Sequence, residues 1–408
     1  MNQLLVILAA FALIPFLIKK KLDLSKAIFI VSIVIAIFTK IGLGGFFRTI
    51  INTFSDAGAS DTVLTVALVS VLGGLMKRYG ILDRIVETML KIISNKKLVM
   101  MIIPSMIGIL VVPGGAVLSA PFINSLGEET GIPSTKRAAV NLVFRHISMF
   151  LFPFSTALLF IKASMPDINI YKVIGFSIPF VIGMVFLGYT MYLKGAGNGT
   201  KVHSEGRAKN LIKLLVLTSP IYISVVINVI TGLPFFVSMF GSLIAVYFIG
   251  NRKDFLKNMG DSLNINTILV VAAILLLKDI ILQLDEMLIL IKGILVSAGS
   301  GIGILLVFTV VSFFFGYITG YPTSALAVTL PLLSMMDMSV NAVHIYAFFL
   351  FAVAFMGYYY SPLHLCQVLT IGEMEIGTFD LYKEYKLYAL LQLLLIYAAT
   401  LIMLAIFA

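Results

Sequence analysis

Apolar residues run along this chain in long unbroken blocks, without the alternation of strands or the half-polar stripe of soluble surface helices. Twelve blocks are visible, near residues 3 to 18, 24 to 46, 60 to 76, 98 to 126, 138 to 162, 170 to 193, 211 to 231, 234 to 250, 264 to 277, 301 to 336, 340 to 370 and 386 to 406. About 20 apolar residues are what a helix needs to cross the hydrocarbon of a bilayer. The pattern predicts an all-α integral membrane protein. Residues 3 to 18 resemble the apolar stretch of a secretory signal, but no basic region precedes them and Lys19, Lys20 and Lys21 follow, so they read as a first span.

Two blocks, 98 to 126 and 301 to 336, are too long for one span and are interrupted by VVPGGAV and GYPTSAL. Each reads as a re-entrant helical hairpin that enters and leaves by the same face. The other ten blocks count as crossings, which gives about ten transmembrane helices plus two hairpins. With the N-terminus outside, about 22 Lys and Arg fall on the cytoplasmic face and about 5 outside, as the positive-inside rule requires. Lys40 and Arg145 fall within spans on this count. Both termini are then expected to be extracytoplasmic, and the protein to sit in the cell (plasma or inner) membrane.

Each half holds five crossings and one hairpin. Because five is odd, the second half must lie upside down relative to the first, an inverted-topology repeat. Proline spacing supports it: Pro113 and Pro322 at the hairpin tips, and Pro153 and Pro362 in later spans, share an offset of about 209 residues, with Pro121 and Pro331 one residue off. Residues 1–193 form the first repeat, with hairpin 98–126 and broken span 138–162. Residues 194–213 form a polar cytoplasmic linker, and residues 214–408 the second repeat, with hairpin 301–336 and broken span 340–370. Between the third span and its hairpin, KRYGILDRIVETMLKIISNKK has apolar positions at helical spacing and basic residues opposite, which suits a helix lying along the inner interface.

Composition narrows the function. The chain has 408 residues, of which 60% are hydrophobic and 12% charged, and its mean hydropathy is +1.08. That lies outside soluble usage. A net charge of +10 would suit nucleic acid, but the basic residues flank apolar segments and are explained by topology, so no nucleic-acid partner is expected. A single cysteine, Cys366, excludes an internal disulfide and any cysteine-only metal cluster. No tightly bound metal and no cofactor are expected; a coupling Na+ would sit at the helix breaks, and H+ is the other candidate.

Non-helical backbone survives at membrane depth only where it packs in protein or lines a wet cavity. Four breaks are visible: Pro113-Gly114-Gly115, Pro153-Phe154-Ser155-Thr156, Tyr321-Pro322-Thr323-Ser324 and Ser361-Pro362-Leu363-His364. Each exposes amides at a half-helix N-terminus and carbonyls at a C-terminus, the arrangement by which secondary transporters hold solutes near the midplane. Arg145 and His146 lie about two turns into the fifth span; Arg145 either snorkels to the inner face or contacts an anion. His364 lies directly in the last break. Asn141, Ser155, Thr156, Thr323 and Ser324 add neutral donors and acceptors, and Asn124 lies close by. The acids, by contrast, fall at span ends or in loops, which favours an anionic solute over cation exchange.

At these residues the chain resembles the ion transporter superfamily of secondary carriers, which includes gluconate permeases and di- and tricarboxylate carriers. More narrowly it is similar to the uncharacterised membrane family known as domain of unknown function 401. The resemblance covers nearly the whole chain. It implies a homodimer with a scaffold part and a moving part, working by elevator-type alternating access on small organic anions with sodium or protons. In dicarboxylate carriers of that superfamily, Ser-Asn-Thr motifs at the hairpin tip and following break bind carboxylate and sodium. Here the matching positions read PGGA, PFST, YPTS and SPLH, so that motif is missing, although Ser155, Thr156, Thr323 and Ser324 keep hydroxyls in place.

The expected function is carboxylate transport coupled to Na+ or H+. A cation/proton or inorganic-anion antiporter is the alternative within carriers, and a passive anion channel the alternative of another class. A membrane enzyme is disfavoured, because the four histidines, at 146, 203, 344 and 364, show no HExxH spacing and no acid lies mid-span.

Overall fold

A computed structural model describes residues 3–109, 116–197, 206–299 and 301–408, and every regular element among them is helical. The first half runs α1 (Gln3–Lys19), α2 (Leu24–Phe38), α3 (Gly42–Ser55), α4 (Ala57–Arg78) and α5 (Ile81–Ile92). The hairpin arms α6 (Lys96–Ile109) and α7 (Ala116–Glu129) follow, then the broken span α8 (Ser134–Leu151) and α9 (Thr156–Ser164). It ends with α10 (Ile170–Gly188), which continues into a π-helical turn, Tyr189–Leu193. The second half repeats this order element for element: α11 (Arg207–Thr231), α12 (Phe235–Ile249), α13 (Phe255–Asp261), α14 (Ile265–Ile281), α15 (Asp285–Ser297), hairpin arms α16 (Ile302–Thr319) and α17 (Pro322–Ser334), broken span α18 (Val340–Tyr360) and α19 (Leu365–Met374), and α20 (Thr378–Phe407).

Short polar side chains start several of these helices by accepting from amides that a first turn leaves unpaired. Asp56 accepts from Ala59 N before α4, Asn169 from Tyr171 N and Lys172 N before α10, Asn264 from Thr267 N before α14, and Ser339 from Ala342 N before α18. Among the described residues seven helices are long and apolar enough to cross a membrane, with α8 and α9 taken as one, and an eighth is gained if α13 and α14, bent by 54°, form one span. The chain is a multi-pass, all-α membrane protein. The sequence implied about ten crossings; α16, expected as a hairpin arm, passes the test as a span, while α1, α2 and α12 do not, being apolar but only 17, 15 and 15 residues long. At about 1.5 Å per residue these three reach only about 22 to 26 Å, short of a typical hydrocarbon core.

The block from 24 to 46, expected as one span, is divided between α2 and α3. Thr39 is extended and Gly42 has φ +64°, a conformation open to glycine. Lys40 therefore lies in an exposed turn rather than inside a span, where its Nζ pairs with Glu286 at 2.8 Å. The amphipathic α5 buries Ile81, Leu82, Ile85, Val86 and Met89 and leaves Asp83, Glu87 and Lys91 exposed, as its pattern predicts; it packs on α11.

Packing sorts the helices into two groups. In one, α6 packs on α8 and α16 on α18, α7 meets α19, α17 meets α9, and α10 and α20 close against α8 and α18. In the other, α2 packs on α14, α4 on α12 and α14, α1 on α2, and α11 on α12 and α5. The groups meet where α14 touches α17, α4 touches α9, and α1 touches α16.

Glycines set the closest of these approaches. A Cβ on Gly108 of α6 would lie 2.0 Å from the Arg145 carbonyl oxygen of α8. A Cβ on Gly316 of α16 would lie 2.5 Å from the Ala354 carbonyl oxygen of α18. The two contacts lie at corresponding places in the two halves.

Candidate functional site

The two groups enclose a cavity of about 440 Å³ between them. One wall carries Asp23, Leu24 and Ser25 at the start of α2, with Asn266, Thr267 and Val270 of α14. The other carries Arg145, His146 and Ser148 of α8, Ser155 and Thr156 at the first break, and Thr319 to Pro322 at the second hairpin tip. Tyr358, Leu363, Leu365 and Cys366 around the last break complete it.

The second hairpin tip is held by its own geometry. Gly320 ends α16 at φ +63°, and a Cβ there would lie 2.7 Å from Leu363 Cβ, so this position requires glycine on both counts. Tyr321 is extended and Pro322 opens α17, where its missing N–H costs nothing. Ser361 Oγ donates to Tyr317 O at 2.6 Å and accepts from Leu363 N at 3.2 Å, tying the last break to the hairpin arm.

Three helix N-termini, those of α9, α17 and α19, reach this cavity through Thr156, Pro322 and Leu365. None has a side-chain cap among the described residues, so first-turn amides at the positive end of each dipole are open to a ligand. Arg145 is 5% exposed and its Nη1 is buried with no hydrogen-bond partner among the described residues. Ser155 Oγ, Thr323 Oγ1 and Ser324 Oγ are likewise buried and unpaired. Buried polar atoms are normally satisfied, so the unpaired Arg145 and Ser155 atoms in the wall mark a place for a ligand with acceptor oxygens. The acid in the wall, Asp23, is paired with Lys26 at 3.0 Å.

The sequence-predicted residues divide accordingly. Arg145, His146, Ser155, Thr156 and Pro322 line the cavity, whereas Thr323 and Ser324 are buried in the first turn of α17 and are not part of its wall. Pro153 is buried in the first break, whereas Pro362 is exposed and is not part of the cavity wall. Asn141 is not at the cavity: fully buried, it donates from Nδ2 to Thr370 Oγ1 at 2.9 Å, joining α8 to α19. Pro113, Gly114 and Gly115 fall outside the described residues, as does His203. The sequence did not single out Tyr358, Thr319, Asn266, Thr267 or Cys366 as wall residues. Tyr358 and Thr319 each border a proline break, which is the signal that would have found them.

The histidines are oriented by backbone. His146 Nδ1 lies 2.6 Å from Leu142 O, and its Nε2 lies 3.3 Å from Tyr358 Oη and 3.1 Å from His364 Nε2. His364 Nδ1 lies 3.2 Å from Tyr359 O. One ring comes from each half of the chain.

A family model described as a protein of unknown function (DUF401) matches residues 2–406. Among curated proteins no sequence matches the chain. Among solved structures, the YdaH transporter of Alcanivorax borkumensis, described as having an unusual topology, is similar with a TM-score of 0.60 and 17% identity, over 90% of this chain and 89% of that one. At that identity the likeness is one of fold.

Proposed function

The chain belongs to the family of proteins of unknown function DUF401, and from that premise and the cavity we propose that it is a secondary active transporter of a small organic anion, a carboxylate. The observation that carries this reading is the buried Nη1 of Arg145, without a hydrogen-bond partner among the described residues, beside three helix N-termini without side-chain caps in one cavity. A carboxylate accepts from guanidinium and backbone N–H alike, and charge-assisted bonds of this kind are the strong ones. Fold likeness to a transporter agrees with this reading.

Movement follows the packing. We read the group containing both hairpins and both broken spans as the moving part and the group around α2, α4, α12 and α14 as the scaffold, working by elevator-type alternating access. In this reading the halves are inverted repeats, the protein is a homodimer in the cell membrane with both termini outside, and Na+ or H+ supplies the driving gradient. Electrochemical coupling is what separates this from a passive anion channel.

Purified protein in liposomes tests it. Uptake of labelled mono-, di- and tricarboxylates should saturate and should respond to an imposed sodium or proton gradient. Unsaturable flux that ignores both gradients, or no carboxylate flux in vesicles shown to contain folded protein, would overturn the proposal.

A further inference from the structure

His344 shows what a satisfied neutral histidine looks like in this protein. Its Nδ1 lies 2.6 Å from Val340 O, one helical turn back, so that nitrogen carries the proton and donates it. Its Nε2 then accepts from Asn169 N–H at 3.0 Å. Both nitrogens are matched.

His146 and His364 are not matched in the same way. His146 Nδ1 faces Leu142 O, also one turn back, and His364 Nδ1 faces Tyr359 O. A carbonyl oxygen can only accept, so both Nδ1 atoms carry hydrogen and both Nε2 atoms present lone pairs. Those lone pairs confront each other across 3.1 Å in a buried setting. Tyr358 Oη, 3.3 Å from His146 Nε2, can donate its one proton to that nitrogen, which leaves His364 Nε2 facing an acceptor. Turning His364 to its other tautomer only moves the conflict to the Tyr359 carbonyl. Something positive between the rings removes it.

The third group at this point identifies the class. Cys366 Sγ and the two ring nitrogens all lie within 4.8 Å of one another. We propose that His146, His364 and Cys366 bind a borderline-soft divalent cation of the zinc class. A tetrahedral Zn2+ with bonds of about 2.05 Å to nitrogen and about 2.3 Å to sulfur sets ligand atoms about 3.3 to 3.6 Å apart. The nitrogen pair is already near that spacing, and a χ1 adjustment at Cys366 covers the remaining distance of about 1 Å at sulfur. Carbonyl acceptors on both Nδ1–H groups are the outer-shell partners that metal-ligating histidines have.

On binding, the Cys366 thiol loses its proton to solvent as the Zn–S bond forms. Metal and thiolate together therefore add one net positive charge, no more than a single proton shared between the rings, while making three bonds. His146 and Cys366 both form part of the cavity wall, so the fourth coordination position is reachable from the cavity. Close sequence spacing could not reveal the site, because His146 comes from one half and His364 and Cys366 from the other.

Cobalt is the probe. Purified protein stripped with a chelator and titrated with Co2+ should bind one ion per chain, with tetrahedral d–d bands and a near-ultraviolet thiolate-to-cobalt band, both displaced by Zn2+. Cys366→Ser should abolish the thiolate band, and because loss of even an outer-shell partner costs about 10- to 100-fold, it should weaken Zn2+ binding by more than about 100-fold. His364→Gln should reduce the d–d intensity. Metal-free melting temperatures matching the parent show that these variants fold. Folded parent protein that gives no cobalt bands at millimolar Co2+, or a thiolate band that survives Cys366→Ser, overturns the proposal. The readout involves no transport, so it stands or falls separately from the carrier assignment.

Discussion

Gly108 lies against the backbone of Arg145 so closely that an added methyl would stand 2.0 Å from the Arg145 carbonyl oxygen and 2.8 Å from Ser148 Oγ. Backbone cannot yield as a side-chain tip can. Gly108→Ala is expected to destabilise the protein by about 1 to 3 kcal/mol, the usual cost of overpacking. Gly316→Ala, which meets the Ala354 carbonyl in the second half, should behave alike. Denaturant or thermal unfolding in detergent measures both; wild-type stability in either variant would show that these helices part more easily than their separation implies.

Arg145 presents the opposite case, a charge whose removal relieves a cost. Its Nη1 has no partner among the described residues, so without ligand Arg145→Gln should melt at or above the parent temperature. Carboxylate affinity should fall at least about 10-fold, because a hydrogen bond to a charged group contributes about 1.5 to 3 kcal/mol. The carboxylate-induced shift in melting temperature reports the affinity. A shift equal to that of the parent would remove Arg145 from the site.

The Asn141 to Thr370 bond is the clearest polar link between the halves. Asn141 Oδ1 is already buried and unpaired among the described residues, so Thr370→Val would leave the whole amide without a partner there. A loss of about 1 to 3 kcal/mol is expected. Asn141→Leu combined with Thr370→Val should recover part of it, and a double-mutant cycle separates the pair energy from the packing change.

Lys40 and Glu286 supply a contrasting control. Their bond holds the Glu286 carboxyl below and the Lys40 ammonium above their ordinary values. The pair's contribution is present above the usual carboxylate range and is lost as pH falls through the lowered Glu286 value. It is likewise present below the usual lysine range and lost as pH rises through the raised Lys40 value. Between about pH 5 and 9 it is constant, and in this exposed setting it is small. Melting curves of Lys40→Ala should therefore run parallel to the parent across that window and lie close to it.

Much of the scaffold of the site was legible in the sequence. A proline followed by hydroxyl residues inside an apolar block has few uses other than to break a helix, and Pro153 and Pro322 do so where expected. Within blocks that are apolar all round, by contrast, periodicity carries no facing information. Asn141 and Arg145, one turn apart on α8, could not be distinguished from sequence, yet one pairs with Thr370 and the other lines the cavity. The turn at Lys40 was hidden for a related reason: apolar residues continue on both sides of it, and only Gly42 marks the change of direction.

The two broken spans share a fate through the Asn141 to Thr370 bond and the facing rings of His146 and His364. They are riveted to each other, so under the proposed alternating access the movement falls at the border where α14 meets α17, α4 meets α9 and α1 meets α16. The largely apolar faces of α14, α17 and α9 form much of that border. Dispersion contacts have little directional preference, so such a surface can exchange one set of apolar neighbours for another more readily than a hydrogen-bonded one. In the proposed carrier the seam is thus lubricated by the same side chains that seal it, and its friction, more than the chemistry of the cavity, would govern how often the cargo compartment changes sides.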